Sequence, residues 1–337
     1  MKPSLFVGAD ISKATLDVSV IAPSNASKIH YYPFANNANG FTQLLKWIKQ
    51  KSDGVPKQHW RVCMENTGMY SLELNCFLHE RGIWQCLENA LQIKRSMGVL
   101  RGKNDKADSK TIALYAYRFS DKLKPYVFPG KVLLRLKVLF SQRERLVNIH
   151  RQVQLGLQSL KGYDQELVAD ILKQNEALLI NLTIQIKELE KALAQCLKED
   201  TALQQKAELM QSVPGIGLQT AVYMLIVSPG MQSFDSPRQF ACYSECAPFE
   251  HQSGVSVRGK NKVHFLANRK IKSLLHMAAL SAIAFNAELK AFYKRKVEAG
   301  KNKMSVLNAV RFKLICRIFS VVKRGELYQL NYNKLVA

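Results

Sequence analysis

The sequence predicts three consecutive parts: an α/β amino-terminal domain, a helical coiled-coil linker, and a mainly α carboxy-terminal domain. Three observations carry this expectation. Short apolar runs at 5–10, 16–22, 28–35, 59–65 and 83–87 read as strands, and amphipathic helical runs separate the later ones. Between 133 and 160 an apolar residue recurs once per heptad (139, 146, 153, 160), and from 182 to 196 the spacing alternates between four and three. Past 205 the pattern stays helical, broken by a Pro-Gly-Ile-Gly turn, and lysine and arginine become dense. The expected boundaries are 1–128, 129–204, 205–326 and a tail at 327–337.

The first strand delivers Asp10 at its end, and a Ser-Lys-Ala-Thr turn leads into a second strand through Asp17, Val18, Ser19 and Val20. A carboxylate at the end of a buried strand is costly to desolvate without a partner or a metal. An Asp in that place also caps the turn that follows, and the residue alone leaves both readings open. After the third strand, Phe41, Leu44, Leu45, Trp47 and Ile48 mark a helix over 40–50, and the strand at 59–65 ends on Glu65. A helix over 69–81 is closed by Gly82, a fifth strand follows, and 105–118 forms a helix with Ile112, Leu114 and Ala116 inside. Three strands, helix, strand, helix, strand, helix is the order of an RNase H-like domain. Such sheets place their sites at strand ends, where Asp10 and Glu65 fall.

Asp105 and Asp108 stand three apart at a helix start and share one face. The helix dipole alone accounts for either of them. It does not account for four carboxylates at two strand ends and one helix start. Clustered carboxylates repel one another, and a pair of Mg²⁺ ions about 4 Å apart relieves that repulsion while organising phosphoryl transfer. Donors that are all oxygen select Mg²⁺ or Mn²⁺ over zinc.

The two heptad-like runs, broken at Lys161-Gly162-Tyr163-Asp164, predict a coiled-coil hairpin, folded on itself or paired with a second subunit. The turn at Val213-Pro214-Gly215-Ile216-Gly217 has the form of a helix-hairpin-helix turn, and the backbone N–H groups around Gly215 and Gly217 can hold a DNA phosphate without reading sequence. A tight turn between helices also uses glycines for their conformation alone. In the loop near 250, Ser253 and Gly254 stand close to Arg258, Lys260 and Lys262. Serine attacks a phosphodiester when basic groups neutralise the phosphate, and serine in a glycine-containing loop is also an ordinary turn former.

Residues 258–324 hold 17 Lys and Arg against Glu288 and Glu298, which is +15 of the formal +23. Arg269, Lys270, Lys272, Lys294, Arg295, Lys301, Lys303 and Arg311 belong to this set, interleaved with Leu274, Leu275, Met277, Phe292 and Ile315. These are basic helices, and each cation that meets a phosphate adds affinity through counterion release. A charge of this size favours nucleic acid or an anionic membrane. No run of about 18 apolar residues exists, and the N-terminus lacks a signal-peptide pattern, so a membrane or a secreted location is not expected. The seven scattered cysteines predict reduced thiols in a cytoplasmic protein, with Cys242 and Cys246 structural rather than zinc-binding.

With these pieces in place, the chain resembles the DEDD transposases, the insertion-sequence family that includes the pilin-gene invertase and the bridge-RNA-guided recombinases. The resemblance spans roughly residues 4–325. It is carried by Gly8-Ala9-Asp10-Ile11-Ser12-Lys13, Met64-Glu65-Asn66-Thr67-Gly68-Met69-Tyr70, Asn104-Asp105-Lys106-Ala107-Asp108, the Val213–Gly217 turn and Ser253-Gly254. It implies a RuvC-like domain whose metal-binding tetrad is Asp10, Glu65, Asp105 and Asp108. It also implies a carboxy-terminal domain whose serine nucleophile, Ser253, forms a covalent phosphoserine link to DNA. Strand exchange would be guided by a structured bridge RNA, and the coiled coil would serve a homodimer or a higher synaptic assembly, nucleoid-associated in a bacterial cell. Three features depart from the family pattern: Asn104 where Thr is usual, Ser109 where Ala is usual, and a segment from Asn261 to Lys272 that lacks some of the expected glycines. Ser256 is a rival nucleophile. Two other functions fit the same residues: a metal-dependent RNase H-like nuclease without serine chemistry, and a nucleic-acid-binding protein whose carboxylates only cap helices.

Overall fold

The computed structural model describes residues 4–22, 28–65, 68, 70–98, 104–247, 252–253, 257–258 and 267–329. It divides into two compact units, Met1–Phe128 and Pro129–Ala337.

In the first unit, β1 (Leu5–Ile11), β2 (Thr15–Ile21) and β3 (Ile29–Ala35) form an antiparallel meander. Helix α1 (Ala38–Gln50) follows, capped by Asn37, whose side chain accepts from Gly40 N. Strand β4 (Trp60–Glu65) then pairs parallel to β1 on its free edge. After α2 (Leu72–Glu80), β5 (Gln85–Glu88) pairs parallel to β4. The sheet order is β3-β2-β1-β4-β5, which is the RNase H-like arrangement the element order predicts. Helices α3 (Ala90–Ser96) and α4 (Asp105–Arg118) complete the unit. The sequence reading did not foresee α3, a helix of two turns.

Successive side chains on a strand point to opposite faces, and the two faces of this sheet pack differently. Val7, Ala9, Ile11, Leu16, Val18, Val20, Val62 and Met64 meet Phe41, Leu44 and Ile48 of α1 and Leu74 and Leu78 of α2. Phe6, Ile21, Cys63 and Cys86 meet Ile93 of α3 and Ile112, Ala113, Tyr115 and Ala116 of α4. Gly8 lies on the second face, where a Cβ would stand 2.2 Å from Ala113 N and 2.5 Å from Ser109 O. The backbone of α4 therefore rests directly on the backbone of β1.

The second unit is helical. Helices α5 (Lys131–Ser159) and α6 (Gln165–Lys198) form a long antiparallel pair. Cross-links include Arg143 Nη2 to Glu190 Oε1 at 2.7 Å and Arg135 Nη1 to Glu199 Oε1 at 2.6 Å. Next come α7 (Thr201–Gln211), α8 (Leu218–Val227) and α9 (Pro237–Tyr243). A two-residue ladder of β6 (Gln252–Ser253) and β7 (Val257–Arg258) follows, where the sequence reads as loop. Helices α10 (Arg269–Phe285), α11 (Ala287–Glu298) and α12 (Lys303–Arg324) close the unit.

One core joins Leu133, Leu136 and Phe140 of α5 and Leu193, Cys196 and Leu197 of α6 to residues of α7 through α12. The base of the long hairpin is thus part of the carboxy-terminal core. Toward its tip, Leu155, Leu167, Ile171 and Ile180 are exposed. None of the seven cysteines forms a disulfide. No helix among the described residues is long and apolar enough to cross a membrane.

The contact at Gly8 has a testable cost. Gly8→Ala drives a methyl group into helix backbone that cannot swing aside, and overpacking of this kind costs about 1–3 kcal/mol. Urea unfolding should show that loss as a lower midpoint at unchanged slope, and a parental midpoint would contradict the close approach.

Candidate active site

The first unit gathers carboxylates on the α4 face of its sheet. In the parallel β1/β4 register Ala9 lies beside Met64, so Asp10 and Glu65 occupy the next position on neighbouring strands. Both point away from the α1/α2 core, because their neighbours Ala9, Ile11 and Met64 fill it. Helix α4 begins above these strand ends. Asn104 caps it, its Oδ1 accepting from Ala107 N at 2.7 Å, and Asp105 and Asp108 lie in the first turn. Asn serves as well as Thr as an N-cap, so the first departure from the family pattern keeps the cap.

The second departure also has a role. Ser109 is buried, and its hydroxyl lies 2.9 Å from that of Ser19 on β2. Where an alanine would only fill space, this serine ties α4 to the sheet one residue past Asp108.

The four acids share one electrostatic environment. Burial first, then the charges of Asp108, Glu65 and Asp105, push the Asp10 carboxyl up from 3.8 to about 6. Like charges disfavour one another's ionisation at short range, and the charges of all three other acids reach Asp10, behind burial as the larger cause. Among the described residues no three potential ligands already converge on one point. The acids form an electrostatic cluster rather than a closed cage. Their chemistry fits a hard cation: every donor is a carboxylate oxygen, and Asp10 gains most from a nearby positive charge.

Two further carboxylates on this face escaped the sequence reading. Asp17 sits opposite Asp10 in the β1/β2 register, is buried, and accepts from Tyr31 Oη at 2.5 Å. That bond is the main reason the Tyr31 hydroxyl is pushed up to about 12. The Lys106 ammonium lies 5.0 Å from the centre of the Tyr31 ring. Glu88 stands opposite Glu65 in the β4/β5 register and accepts from Tyr115 Oη of α4 at 3.0 Å. Alternation puts Asp17 on one face of β2 with Ser19 and Glu88 on one face of β5 with Cys86, but only the sheet register sets those faces beside Asp10 and Glu65.

In the second unit, Ser253 pairs with Val257 and Gln252 with Arg258 across the β6/β7 ladder. Only the backbone is described for Ser253 and Arg258. Gly254, Ser256, Lys260 and Lys262 lie outside the described residues, as do Asn66, Thr67 and Met69 of the Glu65 motif.

The two glycines of the 213–217 turn differ. Gly215 has φ +86°, and a Cβ there would meet Ala278 O of α10 at 2.4 Å, so packing alone requires the glycine. Gly217 is exposed and begins α8 without a side-chain cap.

The basic set also divides. Arg269, Lys294, Arg295, Lys301 and Lys303 are exposed. Lys270 pairs with Glu144 and Lys272 with Glu245. Arg311, expected on the nucleic-acid face, is only 4% exposed and is held by Asn308 and His276. Its side chain points into the α10/α12 packing, because position 311 lies on the α12 stripe that includes Leu307, Val310 and Leu314.

Comparison with known proteins gives a consistent picture. A DEDD transposase model of the IS110 type matches residues 7–160, and the model of the transposase IS116/IS110/IS902 family matches residues 207–294. The pilin gene-inverting proteins of Moraxella bovis and Moraxella lacunata are each 27% identical over 328 residues, covering 95% of this chain and 96% of theirs. An uncharacterized 43.6 kDa protein of insertion element IS110 from Streptomyces coelicolor is 25% identical over 121 residues, 36% of this chain and 30% of that protein. Among solved structures, T. thermophilus RuvC in complex with a Holliday junction substrate matches at 14% identity. That match covers 36% of this chain and 99% of the RuvC chain, with a TM-score of 0.28, too low to bear on the fold.

The raised Asp10 carboxyl makes a prediction with a defined sign. A group that holds its proton more tightly when folded stabilises the fold most below its unfolded value, and that contribution is lost as pH rises. Metal-free protein should therefore lose stability between pH 3.8 and about 6. At neutral pH, Asp10→Asn should raise the stability of the metal-free protein by on the order of 1 kcal/mol, after allowing for solvent screening. Melting curves in EDTA across this range test it. Added Mg²⁺ should then raise the Tm of the parent more than that of the variant, and equal gains would count against Asp10 as a ligand.

Proposed function

The chain belongs to the IS110 family of DEDD transposases, and we propose that it cuts and rejoins DNA through two chemical centres. It is a DNA transposase/recombinase; the proposal concerns how its own residues act. The observation that carries it is the gathering of Asp10, Glu65, Asp105 and Asp108 at the ends of β1 and β4 and the first turn of α4, where burial and then the charges of the other three raise the Asp10 carboxyl.

In this reading the four carboxylates hold Mg²⁺, with Mn²⁺ able to replace it. Bound there, the ion would supply charge neutralisation at the phosphodiester and at the departing oxygen. The carboxylates orient themselves around that charge, and α4 fixes Asp105 and Asp108 against the two strand ends. Ser253 acts as the nucleophile: its Oγ forms a bond to phosphorus as a P–O bond of the DNA backbone breaks, and a deoxyribose hydroxyl leaves with a proton. The phosphoserine keeps the energy of the broken ester, so a second DNA hydroxyl can reverse the step on a new strand without any high-energy cofactor. Exposed Arg269, Lys294, Arg295, Lys301 and Lys303, with Arg258, Lys260 and Lys262, supply the phosphate contacts. Gly217 and the first turn of α8 add backbone donors.

A structured bridge RNA encoded beside the gene would choose the sites, since a sequence-tolerant basic surface does not read bases. The α5/α6 hairpin would serve as a coiled-coil assembly element, for which the apolar side chains near its tip provide a surface. The functional division then runs 1–128 for the RuvC-like centre, 129–204 for assembly, 205–326 for the serine and basic helices, and 327–337 as a tail.

A denaturing gel tests the reading. The protein is incubated with labelled duplex carrying the joined ends of its element, RNA transcribed from the flanking DNA, and Mg²⁺. The expected product is a protein–DNA adduct that resists denaturation, disappears in Ser253→Ala and requires Asp10. Cleaved DNA without an adduct, still lost in Asp10→Ala, would replace this mechanism with a metal-dependent nuclease.

A further inference from the structure

Resting on Ser253 as nucleophile, we infer that Asn308, Arg311 and Asn268 are positioning residues, forming a polar clamp that holds both feet of the segment carrying that serine. The segment leaves α9 through Cys246 and Ala247 and re-enters the helices at Asn268. Each foot is fixed by side chains from helices that do not carry it.

At the outgoing foot, the N–H groups of Cys246 and Ala247 both donate to the Ala241 carbonyl, at 2.8 and 3.1 Å. The Cys246 carbonyl accepts from Asn308 Nδ2 at 2.8 Å. Asn308 is held in turn, its Oδ1 accepting from Arg311 Nη1 at 3.3 Å, while Arg311 Nη2 donates to His276 Nδ1 at 2.8 Å. A guanidinium only donates, so His276 must accept at Nδ1 and carry its proton on the other nitrogen. Burial, and then the Arg311 charge, lower its proton affinity and favour that neutral ring.

At the returning foot, Asn268 N donates to the Tyr243 carbonyl at 2.8 Å, joining the incoming chain to the helix it left. Asn268 Nδ2 donates to Tyr243 Oη at 2.9 Å and Tyr223 Oη at 3.2 Å, while its Oδ1 caps α10 at Lys270 N and Ile271 N.

Arg311 shows why this is more than packing. It is 4% exposed, its Nε has no partner among the described residues, and its two hydrogen-bond partners among them, Asn308 and His276, are neutral. A buried guanidinium is costly to desolvate, and its neighbours on the α12 stripe, Leu307, Val310 and Leu314, are apolar. What the guanidinium does achieve is to lock the Asn308 amide with its N–H toward the Cys246 carbonyl. Holding a nucleophile in register matters because a displacement of about 1 Å can cost about 100-fold in rate.

Asn308→Asp separates this role from stability. The carboxylate gives Arg311 a counter-charge but turns an oxygen toward the Cys246 carbonyl where a donor stood, releasing the outgoing foot. In the adduct assay at saturating DNA, the expected result is a rate about 100-fold lower, with DNA Kd unchanged and Tm no lower than the parent. Tyr243→Phe applies the same test at the returning foot, leaving the α10 cap intact, with an expected rate loss of about tenfold. It carries the test alone if Asn308→Asp lowers the Tm. Parental rates in a stable variant, with Ser253→Ala inactive, overturn the clamp and leave the serine assignment standing. An adduct that survives Ser253→Ala overturns the serine assignment and the clamp with it.

Discussion

The amino-terminal domain depends on the contact of two backbones at Gly8. With no side chain there, α4 settles onto β1 until Ala113 N and Ser109 O occupy the space a Cβ would need. That depth alone does not set the helix's rotation. Rotation is fixed by two bonds on either side of the contact, Ser109 to Ser19 on β2 and Tyr115 to Glu88 on β5. With depth and rotation both set, the first turn of α4 has only one place to present Asp105 and Asp108, over the ends of β1 and β4. A helix held a few ångströms higher would leave the same four residues in the sequence and no carboxylate cluster in the fold, because the coupling among carboxylates falls with distance.

The carboxylates on this face fall into two kinds. Asp17 and Glu88 each accept from a tyrosine hydroxyl, Tyr31 and Tyr115, and those bonds satisfy them within the protein. Asp10, Glu65, Asp105 and Asp108 receive no side-chain donor among the described residues, and Asp10 bears the resulting cost as a raised proton affinity. Satisfied acids frame unsatisfied ones. This separates the tyrosine-bound carboxylates from the four proposed as metal ligands more sharply than burial does, since Asp17 is the more deeply buried of the register pair it forms with Asp10.

Much of this was legible because it is periodic or local. Alternation of apolar residues located the five strands of the first sheet, and the element order pointed to the RNase H-like class. Asp10 and Glu65 were visible as carboxylates ending apolar runs, and Asp105 and Asp108 as a pair in a helix's first turn. What stayed hidden depends on contacts distant in sequence. Nothing near Asp17 or Glu88 announces a tyrosine from another element, and nothing near Arg311 tells an interior guanidinium from an exposed one until the α12 stripe is set against α10. Gly215 shows the same limit in reverse: its glycine reads as a phosphate-binding turn, yet the approach of α10 is sufficient reason for it. A two-residue ladder such as β6/β7 is too short to leave any periodicity.

The two kinds of charge in this chain answer one physical problem. In the proposed mechanism, a centre made of four carboxylates repels the phosphodiester it acts on, and a bound cation would offset that repulsion only locally. Affinity for a polyanion has to come from elsewhere, and residues 258–324 carry +15 of the +23. Not all of that charge is available, because Lys270, Lys272 and Arg317 are paired with Glu144, Glu245 and Glu288, and Arg311 is inside. The paired cations fix helices to one another. The exposed ones, on α10, α11 and the start of α12, are left to release counterions when a backbone arrives. In the proposed mechanism, separating binding from chemistry in this way leaves the carboxylate centre the negative charge that holding a divalent cation requires, while the basic helices keep the grip on DNA.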